Sequence, residues 1–152
     1  MAKTIYLDVC CLNRPFDDQV QNRVRLEAEA VLSILEMAAG GKLKLATSDI
    51  IDDELSQMPD DERREKVELL LTVSSKHVSL TTSMERRATG FHKWNITPLD
   101  ALHLAAAEAA HADYFLTTDD YLLRRAHRHA EELKVKVENP AKWLIQEATD
   151  EN

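Results

Sequence analysis

Two hydrophobic periods divide the chain. Short apolar runs predict buried strands at Thr4 to Val9 and Tyr114 to Thr117. The alternating KLKLA from Lys42 to Ala46 predicts another strand, and His77 to Leu80 and Val135 to Val137 predict two short ones. Between them the apolar residues return every three or four positions. Val24, Ala28, Val31, Leu32, Leu35 and Ala38 predict a helix over Val20 to Ala39, ended by Gly40 and Gly41. Further helices are predicted over Asp49 to Met58, Asp60 to Ser74, Thr82 to Lys93, Tyr121 to about Leu133, and onward from Pro140. Cys10 to Asp18 shows no period, holds Pro15, and is predicted as loop.

The stretch Thr97 to Ala112 differs from these amphipathic helices. It is apolar nearly all round, and such a helix belongs inside a protein. Thr97 is placed to cap it, Pro98 to open it, and Asp100 stands three residues after the cap. Asp100 is then either the partner in a capping box or a carboxylate that a buried helix holds at the edge of a site.

Strands alternating with helices predict an α/β fold, a three-layer α/β/α sandwich around a mainly parallel central sheet. The chain shows no repeat, no low-complexity segment and no linker rich in Pro, Gly or Ser. One domain is expected over residues 1–146, followed by a polar tail at 147–152.

Composition changes this picture little. Of 152 residues, 44% are hydrophobic and 30% charged, as in an ordinary globular protein. No apolar run approaches the ~20 residues of a membrane span, and the N-terminus lacks a signal-peptide pattern. No membrane partner and a cytoplasmic location are expected. Cys10 and Cys11 are adjacent and the only cysteines. Neighbours seldom form a structural disulfide and lack metal-type spacing, so both are expected reduced and mostly buried. The net charge of −8 argues against DNA binding through global charge.

The acids carry the functional reading. In parallel α/β sheets ligands bind outside the carboxyl ends of the strands. Asp8 ends the first strand, and Asp119 lies just past Tyr114 to Thr117. Asp100 opens the apolar helix, and Glu54 sits in the helix after the second strand. Each has a plain structural alternative. Asp8 can cap a turn and Asp119 the next helix, while Glu54 belongs to a charge run with Asp52 and Asp53. Converging, they repel: two carboxylates ~4 Å apart cost roughly 4 kcal/mol at an effective dielectric of ~20. A hard cation, Mg²⁺ or Mn²⁺, suits such an oxygen-rich set, and carboxylate-held metal ions are a recurrent device of phosphodiester hydrolysis.

With these residues in view, the sequence resembles the PIN-domain ribonucleases, the group that includes VapC-type toxins of bacterial toxin–antitoxin pairs. The resemblance runs through YLDVCCLNRPFDD, SDIIDDELS, TPLDALHLAAAEAAHADYF, LTTDDYLL and VKVENPAKWL in order, covering nearly the whole chain. It implies that Asp8, Glu54, Asp100 and Asp119 form the family's metal-binding, catalytic acid set. It further implies RNA as substrate, Mg²⁺ or Mn²⁺ as cofactor, a homodimer and, for the toxins, an antitoxin partner. The chain departs from the commoner toxin pattern after Asp8, where many toxins carry a small Ser or Thr. This departure draws attention to Asn13 and Arg14 as substrate-binding candidates, their alternative being loop structure, with Arg14 pairing with Asp17 or Asp18. Arg124 and Arg125, on the basic helix after Asp119, are further RNA-binding candidates. His103 is expected to be a hydrogen-bonded core histidine, and Trp94 and Trp143 packing residues.

Two other readings stand beside the nuclease. A non-catalytic PIN module would bind RNA or protein without chemistry. A receiver-like phosphoacceptor fits less well, because Asp8 has no adjacent acid and Lys134 and Lys136 stand in the wrong context.

Overall fold

The computed structural model describes residues 2–150. Its centre is β1 (Thr4–Leu7), whose four side chains are all buried. A strand buried on both faces suits the middle of a parallel sheet. On one side lie β2 (Lys44–Ser48) and β3 (Lys76–Val78), and on the other β4 (Tyr114–Leu116) and β5 (Lys136–Glu138), giving the order β3-β2-β1-β4-β5. Every pairing is parallel, with Ile5 opposite Leu45 on one side and Tyr114 on the other. The expected parallel α/β/α architecture is the observed one.

Eight helices connect and cover the sheet among the described residues: α1 (Val9–Asn13), α2 (Asn22–Ala39), α3 (Asp49–Ser56), α4 (Asp61–Leu70), α5 (Thr82–Phe91), α6 (Pro98–Ala109), α7 (Asp120–Arg128) and α8 (Pro140–Asp150). α2 packs on α8, and α5 on α6. Tyr6 of β1 stacks on Phe115 of β4 at 5.5 Å, and Trp143 of α8 meets Tyr114 edge-on. No helix of the described residues is long and apolar enough to cross a membrane.

Three differences from the sequence expectation have local causes. The predicted loop after β1 is helical: β1 stops at Leu7, α1 follows, and Arg14–Phe16 forms a 3₁₀ turn. Asp8 starts α1 by accepting the Val9 N–H at 2.9 Å. Pro15 is accommodated early in the 3₁₀ turn, where its missing N–H breaks no bond. A five-residue helix is too short to display a period. The second strand begins two residues late, because Gly41 (φ 75°) and Lys42 complete the end of α2. Lys42 donates to the Met37 carbonyl and Gly41 to Ala38, the paired bonds of a Schellman ending. α6 closes in the same way before Ala112, with His111 in the left-handed region (φ 55°).

The polar tail expected at 147–152 lies partly outside the described residues, which end at Asp150. Its first four residues continue α8, with Glu147 paired to Lys3.

Candidate active site

The carboxyl ends of β1 and β4 and the starts of α3, α6 and α7 meet at one edge of the sheet. Asp8 stands where β1 becomes α1 and is 7% exposed. Its Oδ2 accepts the Thr117 hydroxyl at 2.9 Å and the Cys10 thiol at 3.4 Å, while its backbone N–H donates to the Leu116 carbonyl. Burial pushes its carboxyl well above the usual range, and negative charge at Cys10 adds to the shift. The Cys10 thiol is drawn down to about 6, chiefly by a hydrogen bond from Cys11 and, against the upward push of burial, by bonds from Thr117 and Thr118. Both cysteines are free, Cys11 buried and Cys10 half-buried, as expected.

Glu54 reaches this edge from the second turn of α3, a helix capped by Ser48, whose hydroxyl accepts the Ile51 N–H. Its Oε1 accepts from His103 Nε2 at 2.7 Å. Asp8, Glu54 and His103 each offer an atom within 4.8 Å of the others, close enough for one ion. Asp100 enters in the first turn of α6, where its N–H donates to the Thr97 hydroxyl. Its carboxyl is raised by burial and, after a Thr97 hydrogen bond that opposes this, by the charges of Asp119 and Glu54. Asp119 caps α7, its Oδ1 accepting the N–H groups of Tyr121 and Leu122 at 2.9 and 3.2 Å. Asp8 and Glu54 are thus brought into direct proximity, and Asp100 is coupled electrostatically to Asp8, Glu54 and Asp119.

Among the described residues no lysine or arginine hydrogen-bonds or ion-pairs with any of these four acids. Their donor set is hard carboxylate oxygen, backed by hydroxyls and a histidine, and it fits a divalent cation of the oxygen-loving kind. A second group, Asp49, Asp52 and His77, is exposed. There Asp49 is occupied by His77 Nε2 at 2.9 Å and the Leu80 N–H at 2.8 Å.

The substrate-binding candidates are placed less favourably. Arg14 takes the structural of its two alternatives: Nε binds Glu27 at 2.9 Å and Nη1 binds Asp17 at 3.0 Å. Asn13 donates to the Val9 carbonyl at 3.2 Å, and its buried Oδ1 has no partner. Arg125 lies over the Tyr121 ring at 4.9 Å, and Arg124 is exposed near Asp120. Trp94 is buried against Phe91 and His129, and Trp143 is buried in the core, as expected.

Several participants were not anticipated. His103 is a buried, hydrogen-bonded histidine as expected, but its partner is the site glutamate. Its Nδ1 meets Tyr6 Oη at 2.7 Å, and Tyr6 Oη meets Ser48 Oγ at 2.7 Å. The signal was a lone histidine one helical turn after Asp100. Glu27 is the other: it is 1% exposed and binds Arg14, Arg23 (3.1 Å) and Asn139 (2.6 Å). Arg23 continues to both oxygens of Asp120 at 2.7 Å and to the Thr118 carbonyl, which ties α2 to the segment carrying Asp119. The four-residue spacing of Arg23 and Glu27 was its only trace in the sequence.

No family model and no curated protein sequence matches this chain. Its fold is similar to that of a chain in the crystal structure of VapBC2 from Rickettsia felis bound to a DNA fragment from their promoter. The TM-score is 0.57, and the match covers 90% of this chain and 98% of that one at 16% sequence identity. The likeness shows the fold alone, an all-parallel five-stranded sheet in an α/β/α sandwich.

Proposed function

We propose that the protein is a metal-dependent endoribonuclease in which Asp8, Glu54, Asp100 and Asp119 hold one or two Mg²⁺ or Mn²⁺ ions. The observation that carries this reading is a coupled set of carboxylates, one nearly fully buried, with no arginine or lysine to neutralise it. The PIN-like fold adds support. Divalent cations bound there would supply activation of water and relief of the charge that develops on a phosphodiester.

The chain's own residues supply the positioning. Thr117 and the Val9 N–H orient Asp8, His103 orients Glu54, and the first turn of α7 orients Asp119. These bonds leave the carboxylates little freedom to lose on binding a cation, and preorganisation of this kind favours catalysis. Arg124 and Arg125 follow Asp119 on α7 and offer positive charge to an RNA backbone. A toxin role, with an antitoxin and a homodimer, is part of the proposal. The likeness to the VapBC2 structure supports it, as do Val20, Leu26 and Leu32, which are exposed in or beside α2. The proposed setting is the cytoplasm.

The test is cleavage of a panel of RNAs by purified protein with Mn²⁺ or Mg²⁺, wild type beside Asp8→Asn and Asp100→Asn. Metal-dependent cutting that falls about a hundredfold or more in both variants is expected. Cleavage by either variant at the wild-type rate overturns the assignment. Intact cation binding without cleavage of any RNA points instead to the non-catalytic module.

A further inference from the structure

Resting on that four-acid reading, we infer that His103 and Tyr6 are positioning residues, the middle of a one-way hydrogen-bond chain from Ser48 to Glu54 that sets the glutamate for its cation. All three contacts along it are 2.7 Å, and Ser48, Tyr6 and His103 are each fully buried.

The direction follows from the acceptor at the end. A carboxylate has no hydrogen to give, so His103 Nε2 donates to Glu54. With one hydrogen on the ring, Nδ1 is the acceptor and Tyr6 Oη donates to it. Tyr6 in turn accepts from Ser48, whose oxygen already accepts the Ile51 N–H at the start of α3. In that arrangement each group has one role, and the last hydrogen points at Oε1 of Glu54. Nε2 therefore has no lone pair for an ion. His103 stands behind Glu54 rather than beside it as a ligand, although it lies within reach of the same point as Asp8 and Glu54. The chain also closes on itself structurally. Ser48 caps the helix that carries Glu54, so the backbone and side chain of this ligand are set by the same group. Partners behind metal ligands fix orientation and raise ligand basicity, and losing them typically costs 10–100-fold in metal affinity.

The test combines Mn²⁺ titration calorimetry with ¹⁵N NMR of the histidine rings in the full chain. In wild type the His103 ring is expected to carry hydrogen on Nε2 alone, and that resonance should shift when Mg²⁺ is added. The Mn²⁺ dissociation constant should rise about 10–100-fold in His103→Ala and in Tyr6→Phe. His103→Gln should recover part of the loss, because its amide can still donate to Glu54. In a Glu54→Ala background, where no side chain is left to position, His103→Ala should cost nothing more. A hydrogen on Nδ1 in wild type overturns the inference whether or not any variant folds. Wild-type Mn²⁺ affinity in both Tyr6→Phe and His103→Ala also overturns it. Asp100→Asn in the same titration separates the two readings: if it binds Mn²⁺ as wild type does, the four-acid site itself fails.

Discussion

The molecule contains two groupings of acids with opposite surroundings. Glu27 is 1% exposed and meets Arg14, Arg23 and Asn139. Asp8 is 7% exposed and meets two backbone or hydroxyl donors and a thiol, with Glu54 and Asp100 as further negative neighbours. Burial of a charge is costly in both places. At Glu27 the fold offsets that cost with cations of its own, and the result is a knot joining α2, the turn after α1 and the residue before α8. At Asp8 the fold leaves the cost standing, and the carboxyl is pushed up accordingly. The proposed cation site has the surroundings of the second, because an internal arginine would compete with a cation for the same oxygens.

The largest expected difference is in stability. Glu27→Ala leaves Arg14 and Arg23 without their shared carboxylate and should cost about 3 kcal/mol, read by urea unfolding. Asp8→Asn removes a repelled charge and keeps a good helix cap, so it should leave the metal-free protein as stable as wild type or slightly more so. Equal losses in the two variants would erase the contrast and make Asp8 a structural residue.

The next effect in size is stabilisation by metal. Mn²⁺ at a hundred times its dissociation constant should stabilise the wild type by about 2.7 kcal/mol. Asp100→Asn should lose that gain, and Asp18→Asn, on the exposed surface, should keep it. Thermal unfolding with and without Mn²⁺ measures it.

The smallest effect is on pH dependence. Asp8 and Asp100 hold their protons more tightly folded than unfolded, because burial raises both. Their contribution to stability is therefore complete below the unfolded value of ~3.9 and is lost as pH rises through the raised folded values. Asp120 runs the other way, since the Arg23 hydrogen bond lowers it, but it is exposed and its share is small. In metal-free protein the melting temperature of Asp8→Asn should accordingly fall less steeply than that of wild type as pH rises from about 4. Parallel slopes would show that Asp8 ionises as freely in the fold as outside it.

What could be read in advance follows the range of the interactions. Thr97, Pro98 and Asp100 announced α6 because capping acts within one turn. The strand ends placed Asp8 and Asp119 because backbone period and burial are written locally. Helix α1 was missed because its capping bond from Asp8 is a single contact in five residues without a period. Leu99 belongs to a stretch whose composition predicts a helix apolar nearly all round, yet it is 44% exposed beside Asp100, because the first turn of α6 emerges at the sheet edge.

The sequence by itself determined the alternation of strands and helices, the parallel sandwich and the four acids at its carboxyl edge, since each depends on local period and on a rule of α/β topology. Only the tertiary structure decided which buried charges are neutralised. Glu27 finds Asn139 from 112 residues away, and Glu54 finds His103 from 49 away, with Tyr6 and Ser48 behind it. No local pattern encodes such pairs, because the partners become neighbours only when β1 takes its place between β2 and β4.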